Sequence, residues 1–363
     1  MFWNDSLTSG PDRPVSAPVL AAHSSTPDAR IFQRRIGPYR LVSKIGEGGM
    51  GAVYKAVHMS LQKVVALKLL AGHQAHSRRA IARFRCEITA TARLDHPNVV
   101  RATDAGNFEG VYFLALEHID GICLSRLIGR CGRLSVADAC EIVRQAALGL
   151  QHIHHCGAIH RDVKPANVML TRNGQVKIVD LGLALVSDEV EPHSAPANSD
   201  ELVGSFDYMA PEQARDSRAV NPAADLYGLG ATLYQLLTGE PPFAGRQYSS
   251  PMKKIHAAAS RPAPPVNECR PEIPFELAAV VARLLAKNPT DRFASAAELA
   301  QAIAPFSAGS DLVRLAAAAD AAAASRCPAQ EPAFSTSDVL SSITVDYIPT
   351  SEADEIENQA ATC

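Results

Sequence analysis

The chain has no run of about 18 uncharged apolar residues, the least that would carry a helix across a bilayer, so no membrane span is expected. Its eight cysteines are scattered at 86, 123, 131, 140, 156, 269, 327 and 363, and none forms a C-x-x-C pair. That spacing argues against a disulfide framework and predicts free thiols in a reducing compartment. The first thirty residues hold Asp5, Asp12 and four prolines, where a secretory signal needs an apolar core. Together these absences predict a cytoplasmic protein. The formal net charge is only −3, which gives no electrostatic case for a nucleic-acid partner. No internal repeat is apparent.

What is present fits a globular protein: 47% apolar and 20% charged residues over 363 positions, enough for one large core or two lobes. Charge is uneven, with nine acids against two arginines in 307–363 and a mildly cationic body at 39–306, as suits phosphate binding. Residues 1–38, rich in Pro, Ser, Ala and Asp, read as disordered. From Tyr39 the pattern is strand-like, and a helix is expected at 77–94 with Ile81, Phe84, Ile88 and Ala92 at helical spacing. Strands fit 99–107 and 111–117; helices fit 135–155, 223–238, 275–286 and 295–304. A β-rich small lobe followed by a helical large lobe is an α+β layout. The tail at 307–363 is alanine-rich over 311–326 and then acidic and Ser/Thr-rich, and reads as largely disordered. The alanine-rich part either docks on the large lobe or frays.

Residues 160–180 read H-R-D-V-K-P-A-N, V-M-L, T-R-N-G-Q, V-K-I-V, D-L-G. Asn173-Gly174 signals a two-residue hairpin turn, because both residues tolerate positive φ. That turn would set Leu170 opposite Lys177, Val168 opposite Val179, and Asn167 opposite Asp180. An amide oxygen beside a carboxylate, shortly after Asp162 and Lys164, is a candidate oxygen site for Mg²⁺. The plain alternative is a solvated hairpin with polar ends.

Residues 46–53 read G-E-G-G-M-G-A-V and contain G-x-G-x-x-G. A dinucleotide fold would need a helix directly after the glycines. Here A-V-Y-K-A-V follows, so the glycines belong at a hairpin tip, where backbone N–H groups can approach phosphate oxygens. Lys68 lies in V-V-A-L-K-L-L; strand alternation puts it on one face with Val64, Ala66 and Leu70. A lone strand lysine usually snorkels, and a helix glutamate such as Glu87 is usually solvated. Yet Ala66 leaves room for a flat ring, Val53 could cover it, and Glu87 borders the buried helix stripe, where it could pair with Lys68.

These residues resemble the eukaryotic-like (Hanks-type) Ser/Thr protein kinases of bacteria, over about 39–306, with every signature block in order. The resemblance implies a bilobal protein kinase fold with a small β-rich N-lobe (39–116), a hinge (117–121) and a large helical C-lobe (122–306). It implies an enzyme that moves the γ-phosphate of ATP to protein Ser/Thr hydroxyls, including its own, with Mg²⁺. Ile45, Gly46, Glu47, Gly48, Gly49, Met50, Gly51, Ala52 and Val53 would cover the nucleotide. Ala66, Lys68 and Glu87 would flank it, and the backbone of Glu117 and Ile119, beyond gatekeeper Leu116, would face adenine. Asp162 would orient the substrate hydroxyl, Lys164 would neutralise the moving phosphoryl group, and Asn167 and Asp180 would hold Mg²⁺. Glu212 of A-P-E would pair with Arg292, and Asp225 would hold the catalytic-loop backbone.

Two departures stand out: Leu181 in place of Phe in D-F-G, and Ser205 in place of Thr before A-P-E. Arg161 before Asp162 implies an activating anion in the segment 182–204, which has no Thr but offers Ser187, Ser194 and Ser199. Autophosphorylation at Ser194 or Ser199, by self-association in trans, is the expectation. In the tail, Ser335, Thr336, Ser337, Thr344 and Thr350 are candidate phosphosites. The cluster His152, His154, His155, Cys156 and His160 has zinc-ligand chemistry, but in the resembling family His160 anchors backbone. The rival functions are a catalytically weak pseudokinase or scaffold, and a small-molecule kinase. The presence of Lys68, Glu87, Asp162, Asn167 and Asp180 together argues against the first, and A-P-E with Asp225 against the second.

Overall fold

The structure is a computed structural model that describes residues 35–48, 51–74, 77–181, 206–216 and 220–325. The N-terminal part is an antiparallel sheet of β1 (Arg35–Ile36), β2 (Tyr39–Gly48), β3 (Gly51–His58), β4 (Lys63–Leu70), β5 (Ala102–Phe108) and β6 (Val111–Glu117), in the order β1-β2-β3-β4-β6-β5. Strand β4 alternates as its sequence predicts. Val65, Leu67 and Leu69 are buried with Tyr39, Leu41, Tyr54 and Phe113, while Ala66 and Lys68 point the other way. Helix α1 (Arg78–Ala92) covers that second face, burying Ala80, Phe84, Glu87 and Thr91 at helical spacing. Its start is capped by Ser77, whose Oγ accepts from Ala80 N at 3.3 Å.

The C-terminal part is helical: α2 (Leu124–Cys131), α3 (Val136–His155), α4 (Pro211–Arg215), α5 (Ala223–Thr238), α6 (Pro251–Ser260), α7 (Val266–Cys269), α8 (Phe275–Leu284), α9 (Ala296–Ile303) and α10 (Leu312–Ser325). Helix α5 is apolar all round and almost wholly buried, as a central core helix must be. A three-stranded sheet of β7 (Gly121–Cys123), β8 (Val168–Thr171) and β9 (Val176–Ile178) carries the loop 160–167 and the stretch into Asp180. The bilobal α+β expectation therefore stands.

Several boundaries shift. The sheet includes residues before Tyr39, because Arg35–Ile36 pairs with Arg40 and Tyr39 and buries Ile36. Strand β5 starts at Ala102 rather than 99; Val99 instead makes a lone parallel bridge to Ile178. The hinge narrows to 118–120, since β6 runs through Glu117 and β7 begins at Gly121. Of the two alternatives for the alanine-rich stretch, docking holds: Leu312, Ala316 and Ala319 of α10 are buried in the large-lobe core.

The hairpin register is also corrected. Val168 pairs with Ile178, Met169 with Lys177 and Leu170 with Val176, one residue short of the register expected from a two-residue turn. The loop is three residues, 172–174, closed by Thr171 N donating to Gln175 O at 2.8 Å, with Gly174 at φ +80°. A left-handed glycine ending a three-residue loop is the next commonest hairpin solution. Asn167 consequently faces Val179, whose N–H donates to its carbonyl at 2.9 Å, and not Asp180.

Candidate active site

The β2–β3 hairpin holds Gly48 opposite Gly51; Gly49 and Met50, between them, lie outside the described residues. Gly51 is obligatory for packing: a Cβ there would sit 1.8 Å from the Leu69 carbonyl oxygen. Beneath the hairpin Val53 is directly opposite Lys68, and Ala66 is opposite Leu116. Ile45, at the mouth, is 46% exposed.

Lys68 Nζ lies 2.5 Å from Glu87 Oε1 and 3.2 Å from Asp180 Oδ1. Burial works against the ammonium, but the carboxylates of Asp180 and Glu87 outweigh it and raise its pKa. Burial likewise pushes the Glu87 carboxyl up, against the pull of Lys68. The pair needs that mutual contact, because either charge left alone in this setting would carry a desolvation penalty of several kcal/mol.

A second cluster forms on the loop 160–167. Lys164 Nζ is 2.8 Å from Asp162 Oδ2. Asn167 Nδ2 donates to Asp162 O at 2.9 Å and to Asp162 Oδ2 at 2.8 Å. Neither bond uses the Asn167 amide oxygen. Asp180 sits at φ +54° with its carboxylate 44% exposed. A carboxylate and an amide oxygen suit a hard divalent cation better than a soft one.

The loop is hung from α5. Asp225, buried, accepts from His160 N at 2.9 Å and from Arg161 N at 2.7 Å. His154 Nε2 lies 2.7 Å from the same carboxylate, a partner the sequence did not single out. His160 Nε2 reaches Val179 O at 3.1 Å, so it ties the loop to the strand entering Asp180. His152 stacks on His96 with ring centroids 5.2 Å apart. His152, His154 and His160 thus engage separate partners, and no metal-holding group of three His, Cys, Asp or Glu occurs among the described residues.

Glu212 and Arg292 form a two-pronged ion pair at 2.6 and 2.8 Å. Arg292 also donates to Ala286 O and Ala223 O, and its guanidinium lies over the Tyr227 ring. Two further ties were not foreseen. Lys254 of α6 holds Asp207 at 2.6 Å, and Lys177 of β9 holds Glu117 at 2.7 Å. Pairs so distant in sequence leave no local spacing signal. Residues 182–205, with Ser187, Ser194, Ser199 and Ser205, and the tail phosphosite candidates lie outside the described residues.

Residues 39–303 match the protein kinase domain family. The chain belongs to it. Among curated proteins it is 38% identical over 280 residues to the serine/threonine-protein kinase PknA of Mycobacterium tuberculosis, covering 75% of this chain and 62% of PknA. It is also 38% identical over 265 residues to the serine/threonine-protein kinase pkn3 of Myxococcus xanthus, covering 71% of this chain and 48% of that protein. Among solved structures, the Mycobacterium tuberculosis PknI kinase domain aligns at 30% identity with a TM-score of 0.59, covering 76% of this chain and 98% of the other. The chain therefore spans roughly half to three-fifths of the curated relatives it matches, and essentially all of the PknI domain.

Proposed function

We propose that this protein is an ATP-dependent Ser/Thr protein kinase. The observation that carries the reading is the pairing of two charge clusters: Lys68 between Glu87 and Asp180, and Asp162 with Lys164 and Asn167. Phosphoryl transfer requires little covalent chemistry from the protein, so charge placement and in-line positioning account for most of the rate. Lys68, held by Glu87, binds the α- and β-phosphates. The adenine lies between the Val53–Ala66 floor and the hinge, read by the backbone of Glu117 and Ile119. The glycine hairpin from Ile45 to Val53 closes over the phosphates.

The substrate hydroxyl oxygen attacks the γ-phosphorus while the bond to the β–γ bridging oxygen breaks. The hydroxyl proton passes to Asp162, and ADP leaves. Lys164 offsets the negative charge on the moving group. Asn167 and Asp180 would hold Mg²⁺, which when bound neutralises phosphate oxygens. Protein substrates bearing Ser or Thr, and a second copy of the chain for trans-autophosphorylation, are the partners this chemistry calls for. The described residues contain no helix long and apolar enough to cross a membrane; with free thiols at Cys86, Cys123, Cys131, Cys140, Cys156 and Cys269, a cytoplasmic site of action fits.

The test is phosphate incorporation from radiolabelled ATP into a generic protein substrate, by wild type and by Asp162→Ala. Wild-type incorporation that falls by at least about a thousandfold in the variant is expected, the scale for losing a general base together with its positioning. No incorporation, or equal incorporation by the variant, would leave a scaffold with a kinase fold.

A further inference from the structure

We propose that Arg172, together with Asp320 of α10, is a positioning residue for nucleotide binding. The inference rests on the kinase reading above and adds a device one of whose members, Asp320, lies outside the matched family region, which ends at 303.

An open cleft of about 300 Å³ lies between the hinge and the β8–β9 hairpin, lined by Glu117, Ile119 and Asp120 on one side and Arg172, Gln175 and Lys177 on the other. Two polar ties cross that cleft, beside the direct pairing of Gly121 with Thr171. One is Lys177 to Glu117 at 2.7 Å, at the β6 end. The other is Arg172, at the far end. Its backbone N–H donates to Asp120 O at 3.2 Å, and its Nη1 lies 3.4 Å from Asp120 Oδ2.

Arg172 does not stand alone. Its Nε lies 3.1 Å from Asp320 Oδ2, so one guanidinium is shared between the hinge and α10. Helix α10 is itself locked in place. Asp311 accepts from Arg314 N at 2.9 Å as its cap, and Asp311 N donates to Asp138 Oδ1 at 2.8 Å. Arg130 reaches Ala319 O at 3.3 Å, one residue before Asp320. The first turn of α10 also backs the hairpin loop, where a Cβ on Gly174 would meet Val313 at 3.2 Å and Leu312 at 3.3 Å. A planar fork can serve two carboxylates at once, which a single ammonium does less well. The sequence reading had Asn173-Gly174 as the important part of this loop; the charge beside them carries the longer-range link.

The groups are more than 45% exposed, so each pair is weak and the effect is modest but specific. Arg172→Ala should raise the KM for ATP about three- to fivefold with kcat within about twofold, the range that weak exposed pairs permit. Its affinity for a fluorescent ADP analogue should fall by the same factor. Asp320→Ala should give a smaller change in the same direction, and Arg172→Lys should recover part of the loss. Because Asp320 acts through Arg172, the double variant should be no worse than Arg172→Ala alone. An active wild type whose KM and ADP-analogue affinity are unmoved in all variants, or a double variant whose losses simply multiply, overturns the positioning role and leaves the kinase reading intact. A wild type that neither binds the analogue nor transfers phosphate overturns both.

Discussion

Arg161 shows how a single residue can report on a segment elsewhere in the chain. Its backbone is held at φ +67° by Asp225, a left-handed conformation that disfavours a side chain by roughly 1–2 kcal/mol. Its guanidinium Nε and Nη1 are buried without a hydrogen-bond partner among the described residues, and burial lowers its pKa. A cation in that condition calls for an anion. Phosphate on Ser194 or Ser199 would supply it through charge-assisted bonds to a fork of matching shape. Replacing both serines by Ala should therefore lower kcat by about tenfold or more, the worth of one to two such bonds, and Glu in their place should restore part of it. Phosphosite mapping that finds both unmodified in fully active protein rules the assignment out.

At the scale of elements, the catalytic loop is positioned by contact with α5 as much as by its own hydrogen bonds. Gly228 packs so closely that a Cβ there would lie 2.6 Å from the Val163 carbonyl oxygen. Gly228→Ala must move backbone, because a carbonyl cannot rotate aside as a flexible side chain could. The expected outcome is destabilisation of about 1–3 kcal/mol, as for other overpacked cores, and a lower kcat than the stability loss accounts for. Thermal melting with activity measured well below the transition checks it; full activity per folded molecule would show that the loop is not held from α5. The elements themselves were largely legible. Helical periodicity found α1, α3, α5, α8 and α9 within three residues at each end, because their apolar faces repeat locally. The β8–β9 hairpin was found, but its register was not. Asn-Gly favours a two-residue turn, whereas Thr171 and Gln175 pair around a three-residue loop, and short-range turn preference cannot weigh that closure against strand pairing.

Across the whole molecule, pH should act on stability through Lys287. Burial, and then the charge of Arg292, lower its pKa from 10.5 to about 8. Its Nζ has no hydrogen-bond partner and sits 5.0 Å from the centre of the Phe243 ring. Below about pH 8 the folded protein carries a poorly solvated charge. Between that value and 10.5 the unfolded chain retains a proton that the folded one has released, so stability rises with pH. Melting curves from pH 7 to 9.5 should show wild type gaining on Lys287→Met, which keeps the stem and drops the charge. Parallel pH profiles for the two would contradict this.

The sequence by itself determined the α+β class, a β-rich part followed by a helical one and the helices α1, α3, α5, α8 and α9, and it singled out Lys68, Glu87, Asp162, Asn167 and Asp180 as candidate site residues. Those depend on spacing and residue type within short windows, where helix and strand periods and turn chemistry act. Only tertiary structure decided that α10 docks, that His154 joins Asp225, that Lys177 and Arg172 span the cleft behind the hinge, and that Asn167 faces Val179. Each of these is a choice among partners far apart in the chain, and the energy that selects one partner exists only once the lobes have packed.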